Sequence, residues 1–204
     1  ASSNKATAQG GVVYCGRDSC NVNGSSTTLF YGNQAVEGSA IYVPADAVGI
    51  LSGLALTSNV AIFSGAIYVG LGSTTSISDV LSSKNVAFDS GAFAYCASLS
   101  TVTIAGITST GDAAELSGVI FVGIRASAVV SDSTFFDARS KAGTVYAVGT
   151  LSLAVTNVNF RNARALASGA ALFAQSFESV TVISCVFEGN EAIESAGAIF
   201  LDSG

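Results

Sequence analysis

A short motif recurs along the whole chain, and this repetition constrains the fold more than any other feature. Each copy has small residues, then apolar residues, then an aromatic residue, as in the segments 64–68 and 196–200. The aromatic residues are Tyr14, Tyr42, Tyr68, Tyr95, Phe121, Tyr146, Phe173 and Phe200. Successive members lie 25 to 28 residues apart, and five of the six tyrosines in the chain occupy this position. A fixed period of this length indicates a repeat architecture.

A second set of positions carries asparagine or aspartate at the same period, upstream of each aromatic residue. Both residue types tolerate left-handed backbone and bond neighbouring amides, so a stacked column of them predicts a repeated turn. The predicted turn ladder consists of Asn33, Asn59, Asn85, Asp112, Asp137, Asn162 and Asn190.

Each repeat holds about three short apolar segments separated by Gly, Ser, Asn or Asp, such as 153–160 and 180–187. Their length and β-branched content favour strands over helices. Leucine-rich repeats share the period but their consensus is absent, and a propeller blade needs about 40 residues. We therefore predict an all-β fold, a single-stranded, right-handed parallel β-helix of about 7–8 coils of 25–28 residues with three short strands each. Residues 1–9 are predicted to be a loose segment, and residues 10–204 the β-helix, which continues in a longer chain or a neighbouring subunit.

Strand alternation predicts which side of each strand faces the core. The residues on either side of each aromatic are apolar, so they should point inward and the aromatics outward. The resulting candidate contact ladder has two interpretations. Stacked rings stabilise a sheet by about 1 kcal/mol per pair, and exposed rings can bind a sugar or another protein. Both stay open at this point.

Composition excludes several classes of function. Only 11% of residues are charged, the net charge is −6 and the mean hydropathy is +0.57, which argues against nucleic-acid binding. There is no histidine, the usual general base and commonest metal ligand. Acidic residues occur singly, whereas glycoside hydrolysis needs a pair of carboxylates. A lyase-type site at Asp132, Asp137 and Arg139 is disfavoured. We predict no catalytic, cofactor or metal site and no transmembrane segment.

The four cysteines and one sequon carry weaker signals. Cys15 and Cys20 flank a four-residue loop and are a possible disulfide, although the expected inward position of Cys15 weakens that pairing. Cys96 and Cys185 are expected to be small core residues. Asn23 begins an Asn-Gly-Ser sequon and is a possible glycosylation site if the protein is secreted.

Charged residues cluster late in the chain. Asp137, Arg161 and Glu188 each follow a phenylalanine, so we expect them to stack as a ladder of alternating sign, with Arg164 and Glu191 forming a similar pair. An anionic-sugar site here is disfavoured because neighbouring acids neutralise the arginines.

The repeats resemble those of the chlamydial polymorphic outer-membrane proteins and related pectin-lyase-like β-helix surface proteins. The matching residues are Gly10-Gly11-Val12-Val13, Gly65-Ala66-Ile67, Gly197-Ala198-Ile199, and the Phe-x-x-Asn segments 30–33 and 187–190. The resemblance implies a secreted, surface-displayed adhesive passenger.

From these observations we predict that the protein is a non-catalytic structural module of an extracellular filament, appendage or surface layer. It would assemble through its coil ends and the aromatic ladder, with other copies of itself or other surface proteins as partners. The alternative is an adhesin-type passenger that binds a host protein or glycan. Either role places the protein outside the cell or on its surface. An ice-binding role is disfavoured because no regular Thr-x-Thr array recurs in one column of the aligned sequence.

Overall fold

Three parallel sheets form the walls of a right-handed β-solenoid of about 7 turns, which confirms the predicted fold class. The computed structural model describes residues 1–203, apart from the side chains of residues 26 and 27, so Gly204 of the predicted β-helix lies outside the described residues. Each coil passes through the first, the second and then the third sheet. No helix occurs in the described part of the chain, and therefore none that is long and apolar enough to cross a membrane.

The strands follow one another in register down each wall. The first sheet contains Val13–Tyr14, Ile41–Val43, Ile67–Val69, Ala94–Cys96, Ile120–Val122, Val145–Val148, Leu172–Gln175 and Ile199–Asp202. The second contains Ser19–Tyr31, Val48–Thr57, Thr74–Ser78, Leu81–Ser83, Thr101–Ala105, Thr108–Thr110, Ser127–Phe136, Ser152–Arg161, Ser179–Ile183 and Val186–Glu188. The third contains Gln34–Glu37, Val60–Ser64, Val86–Ala87, Ala113–Ala114, Arg139–Ser140, Arg164–Ala165 and Glu191–Ala192.

The core is one continuous apolar column along the solenoid axis. In the first sheet the residues flanking each aromatic are the buried ones; Ile41, Val43, Ile67 and Val69 are all 0% exposed. A neighbouring coil covers each such residue on both sides, so burial continues from coil to coil. Only apolar side chains gain free energy from this repeated burial, which is why the sequence repeats them.

The second sheet is longer than the predicted short strands, and a bend crosses its middle. One residue per coil adopts a left-handed backbone there, and three coils split into two strands at this point. The residues are Gly53, Asp79, Gly106, Asp132, Asn157 and Ser184, with φ between 50° and 66°. Their mixed identities explain why sequence periodicity did not predict the bend.

Residues 1–9, which the sequence predicts to be a loose segment, make backbone hydrogen bonds to the first described coil. The Ser3 amide donates to the Tyr31 carbonyl and the Ala6 amide to the Gln34 carbonyl, both at 2.9 Å. The segment therefore lies along the free edge of the first described coil. Edge backbone groups need partners whatever the side chains are, so a polar segment serves as well as an apolar one.

The predicted turn ladder is two columns rather than one. Asn33, Asn59, Asn85, Asp112 and Asn190 occupy one column. Asp137 and Asn162 lie one residue earlier, in the column of left-handed residues with φ of 51° and 53°, and alanine follows each of them. Both columns favour Asn and Asp, but for different reasons: the first uses their hydrogen bonds and the second their tolerance of left-handed backbone.

Candidate functional site

The aromatic ladder runs the length of the first sheet as one unbroken stack. All seven neighbouring pairs of rings are stacked, with centroids 4.6 to 5.9 Å apart and interplanar angles of 4° to 22°. Strand register produces this directly, because Tyr42 pairs with Tyr68 and Tyr68 with Tyr95 across the parallel sheet. The ladder therefore fixes the relative position of successive coils.

Stacking leaves little ring surface for a ligand. Tyr14, at one end, is 60% exposed, whereas Tyr42 is only 8% exposed although it points outward. Neighbouring rings cover the faces, so interior members present only ring edges and hydroxyls. Burial, with a smaller contribution from the negative charge of Glu37, raises the pKa of Tyr68 and of Tyr42. The hydroxyls are therefore neutral donors at physiological pH.

A second ladder, of amide side chains, lies at the corner between the second and third sheets. Asn33 Nδ2 donates to Asn59 Oδ1 at 2.8 Å, Asn59 Nδ2 to Asn85 Oδ1 at 2.9 Å, and Asn85 Nδ2 to Asp112 Oδ1 at 3.0 Å. The backbone amide of each of these asparagines donates to the same oxygen. These side-chain-to-side-chain bonds run toward the later coils, so the ladder has a direction and ends at Asp112. Nδ2 of Asn59 and of Asn85 also donates back to the carbonyl of Phe30 and of Leu56 on the preceding coil.

Asp112 is a fully buried carboxyl group with an unusual set of partners. Ser82 and Ser109 donate their hydroxyls to Oδ2 at 2.6 and 2.7 Å, and Asn85 supplies both donors to Oδ1. No cation pairs with it among residues 1–203. Burial raises its pKa, and these hydrogen bonds oppose the rise. Every donor comes from its own coil or the preceding one, so its role is to terminate the ladder.

The arginines of the late coils border a groove of about 620 Å³ on the outer face of the third sheet. Arg139 and Arg164 are one coil apart and paired across the sheet, with Glu191 on the following coil. Arg164 Nε lies 3.7 Å from Glu191 Oε2. Leu166 and Ile193 are the largest apolar side chains of the lining. In the described chain Arg139 makes no ion pair within 4.0 Å, so its charge faces solvent.

The predicted charge ladder is wrong in one member. Arg161 and Glu188 stack and form an ion pair at 3.2 Å, but Phe136 rather than Asp137 is their neighbour on the preceding coil. The Arg161 guanidinium lies 6.0 Å from the centre of the Phe136 ring. Asp137 lies one residue further on, at the left-handed corner.

The cysteines differ in their surroundings. Cys15 and Cys20 are joined by a disulfide, with Cα atoms 5.2 Å apart, and both are buried. The inward position of Cys15 is thus compatible with bonding. Cys96 is 0% exposed, and burial raises the pKa of its thiol to about 12. Cys185 is only partly buried, on the last described coil.

The remaining predicted sites are separate from one another. Asn23 is exposed and accepts a hydrogen bond from the Ser52 hydroxyl at 2.9 Å. Asp132 lies at the bend of the second sheet, where Asn157 donates to it at 2.8 Å and lowers its pKa. Asp137 and Arg139 instead line a polar recess beside the third sheet. Among residues 1–203 no three His, Cys, Asp or Glu side chains come together as metal ligands.

Sequence reasoning missed Ser82, Ser109 and the special position of Asp112. A signal was present: a serine stands three residues before Asn85 and before Asp112, where other coils have a phenylalanine or leucine. Comparison of the chain with protein-family models, with curated proteins and with solved structures gave no match.

Proposed function

We propose that the protein is a non-catalytic structural module that assembles with other copies of itself, or with other surface proteins, into an extracellular filament, appendage or surface layer. The exposed apolar side chains carry the proposal. On the third sheet Ile62, Phe63 and Phe88 are 50%, 55% and 49% exposed on neighbouring coils, and Leu116 on the next is 56% exposed. Contiguous apolar surface of this kind marks interaction sites.

The coil ends supply a second contact in this proposal. A coil of a neighbouring copy stacked on a coil end would extend the parallel hydrogen bonding of the three sheets. Such a contact repeats from head to tail and produces a filament.

The aromatic ladder suits a module that bears load. Seven stacked pairs at about 1 kcal/mol each resist sliding of one coil over the next. Its accessible parts are ring edges and hydroxyls, so its direct contribution to contacts is limited to the exposed end at Tyr14.

Light scattering and negative-stain microscopy of the purified chain test the proposal. We expect particles that lengthen with concentration and show a regular axial repeat. A monodisperse 20.3 kDa rod at all concentrations would overturn it.

Substitutions in the ladder separate assembly from stability. Replacing Tyr42, Tyr68 and Tyr95 with phenylalanine keeps the stack and removes the hydroxyls, whereas replacing them with serine removes the stack. If the ladder acts by stiffening the module, the phenylalanine variant assembles like the parent and the serine variant does not. Loss of assembly in both variants shows instead that the hydroxyls contact the neighbour.

The alternative is an adhesin-type passenger, and the groove favours it. Arg139 faces solvent beside Arg164, and like charges on neighbouring strands repel unless an anion lies between them. We propose that an acidic glycan would be the ligand in this case, as the resemblance to adhesive surface β-helices also suggests. A glycan array with the parent and Arg139→Gln, and with Arg125→Gln as an exposed arginine outside the groove, tests this. Binding lost only in Arg139→Gln supports it.

A further inference from the structure

One half of the second sheet presents a uniform outer surface of hydroxyl and aliphatic groups, and we infer that this surface binds ice. It comprises the outward positions of the segments 48–52, 74–78, 101–105, 127–131, 152–156 and 179–183, and is called the hydroxyl face below. Twelve of its eighteen outward residues are serine or threonine, and the other six are alanine, valine or isoleucine. None of the eighteen is charged and none is buried.

Strand register places these groups in straight columns that the linear sequence hides. Thr74, Thr101, Ser127, Ser152 and Ser179 occupy one column on five successive coils. Repeats of unequal length obscure this alignment in the sequence. Within these segments Thr-x-Thr occurs only at Thr101 and Thr103, in keeping with the expectation that no regular Thr-x-Thr array recurs, and serine supplies seven of the twelve hydroxyl groups.

The spacing of the columns is close to one repeat of crystalline water. Neighbouring coils are about 4.8 Å apart, and outward residues on one strand about 6.6 Å apart. The coil spacing is close to the shorter oxygen repeat of hexagonal ice, and the spacing along the strand is shorter than the longer, perpendicular repeat. Side chains held at this spacing can order water as ice does, and aliphatic groups between hydroxyls keep that water from being drawn out of the lattice.

The platform beneath the face is rigid. Inward side chains of the same segments, including Leu51, Ile77, Ile104, Val130 and Val155, are 0% exposed. Every strand is paired on both sides along the middle of the sheet. The hydroxyls of Thr101 and Thr103 make no hydrogen bond within the described residues and face solvent. The bend beginning at Asp79 and Asp132 limits the face on one side.

Charge and composition favour ice over other occupants. In a molecule of net charge −6, a face of eighteen uncharged positions is complementary to a neutral lattice of water dipoles. Protein interfaces are enriched in aromatic residues and depleted of serine, the reverse of this face. A sugar would need an open ring face to stack on, and none of the eighteen positions carries an aromatic residue.

Ice recrystallisation and thermal hysteresis, measured on the whole chain, test the inference. We expect the parent to slow recrystallisation and to separate the melting and freezing points. Thr103→Tyr places a bulky ring at the centre of the hydroxyl face and should abolish both effects. The matched control is Thr110→Tyr, an exposed threonine of the same coil that lies past Gly106 and outside the face; it should retain the activity of the parent.

Thermal melts followed by circular dichroism establish that both variants are folded. Absence of activity in the parent, or equal activity in Thr103→Tyr, would overturn the inference. A change in particle mass in Thr103→Tyr without an effect on ice would also overturn it, because a second copy would then be the occupant. None of these outcomes depends on whether the module forms filaments.

Discussion

The corner between the second and third sheets is filled in different ways within one molecule. The polar version combines an inward serine with an amide or carboxylate three residues later, and the apolar version combines phenylalanine with alanine. The remaining coils combine a large apolar residue with asparagine, as in Phe30/Asn33, Leu56/Asn59 and Phe187/Asn190. The polar pairs are Ser82/Asn85 and Ser109/Asp112, and the apolar pairs are Phe135/Ala138 and Phe160/Ala163. The pairs lie on successive coils in register, so they fill the same part of the interior.

The difference shows that the turn does not depend on the amide. A left-handed residue precedes the corner in both versions, for example Lys84 in the polar one and Asp137 in the apolar one. What changes is how the interior is filled: Phe135 and Phe160 are followed by a methyl group, whereas Ser82 and Ser109 bond the group three residues later. Phe187 is followed by Asn190, so a large ring does not by itself exclude an amide. Phe135 and Phe160 stack with centroids 5.5 Å apart, and this contact links the two coils where no ladder hydrogen bond does.

Asp112 lies at the boundary between the two versions. The ladder donates toward later coils, and the next residue in its column, Ala138, has no acceptor. An asparagine in place of Asp112 would therefore keep a donor without a ladder acceptor. A carboxylate only accepts, so it ends a directed ladder with all its partners on one side.

The largest effect is expected from Asp112→Ala, which breaks the polar version at its end. The two serine hydroxyls and the Asn85 backbone amide lose their acceptor inside a buried site, whereas Asn85 Nδ2 keeps the Leu56 carbonyl and the Ser82 hydroxyl. We expect the free energy of unfolding to fall by about 3–5 kcal/mol, as when one partner is removed from a buried polar network. Chemical denaturation measures it.

Asp112→Asn is the matched control for this prediction. Its oxygen still accepts from Asn85, and the hydroxyls of Ser82 and Ser109 can turn to accept from the new amide. Its cost should be well below that of Asp112→Ala. Equal losses in the two variants would mean that buried negative charge, and not the number of acceptors, holds the corner together.

A double-mutant cycle tests whether the size of the residue at position 135 decides whether an amide fits at position 138. Ala138→Asn alone places an amide beside Phe135, and if the ring excludes the amide on this coil the substitution should cost about 1–3 kcal/mol. In a Phe135→Ser background the amide has room, so its cost should fall by about 1 kcal/mol or more, within the range of coupling for residues in contact. Additive losses would contradict the exchange, and comparison of the four unfolding free energies decides.

The pH dependence of stability tests how the carboxyl group of Asp112 titrates at this boundary. Burial raises the pKa of Asp112 above its ordinary value of 3.8, so between the unfolded and the folded pKa the native state binds more protons than the unfolded state. Stability should therefore be highest below pH 3.8 for this group and should fall as the pH rises through its folded pKa. Unfolding free energies of the parent minus those of Asp112→Asn, measured from pH 3 to pH 8, isolate this contribution. A difference that grows with rising pH would show that the pKa is lowered.

The fold could be predicted from the sequence because inward apolar residues alternate with outward residues and recur at a fixed period. Positions such as Ile41 and Ile67 reveal their burial through neighbours that repeat. The register of the corner could not be predicted from the sequence, because Asn and Asp suit both adjoining columns. In a linear alignment Asp137 therefore looks the same as Asp112. The sequence also hid the hydroxyl face, since serine, threonine, valine and alanine are all acceptable on the outside of a strand and only three-dimensional register aligns them. The coupling of Ser109 to Asp112 is visible in the sequence only as a serine at a position where other coils have a phenylalanine or leucine.

The smallest effect concerns the backbone shared by both versions of the corner. Lys84 is exposed and held at φ 54°, and the same column has Gly111 at φ 66° on the next coil. A left-handed backbone costs a residue with a side chain about 1–2 kcal/mol, of which the greater freedom of unfolded glycine offsets about 0.5–1 kcal/mol. Lys84→Gly should therefore stabilise the protein by about 0.5–1 kcal/mol, measured by chemical denaturation.

Gly111→Ala is the reverse experiment. Its added methyl would meet only the Lys84 Cγ at 3.9 Å, an ordinary contact, so the φ angle alone should make it destabilising by a similar amount. If both substitutions destabilise the protein, the Lys84 side chain stabilises the corner by more than its left-handed backbone destabilises it. The two versions of the corner would then differ in backbone as well as in the side chains that fill the interior.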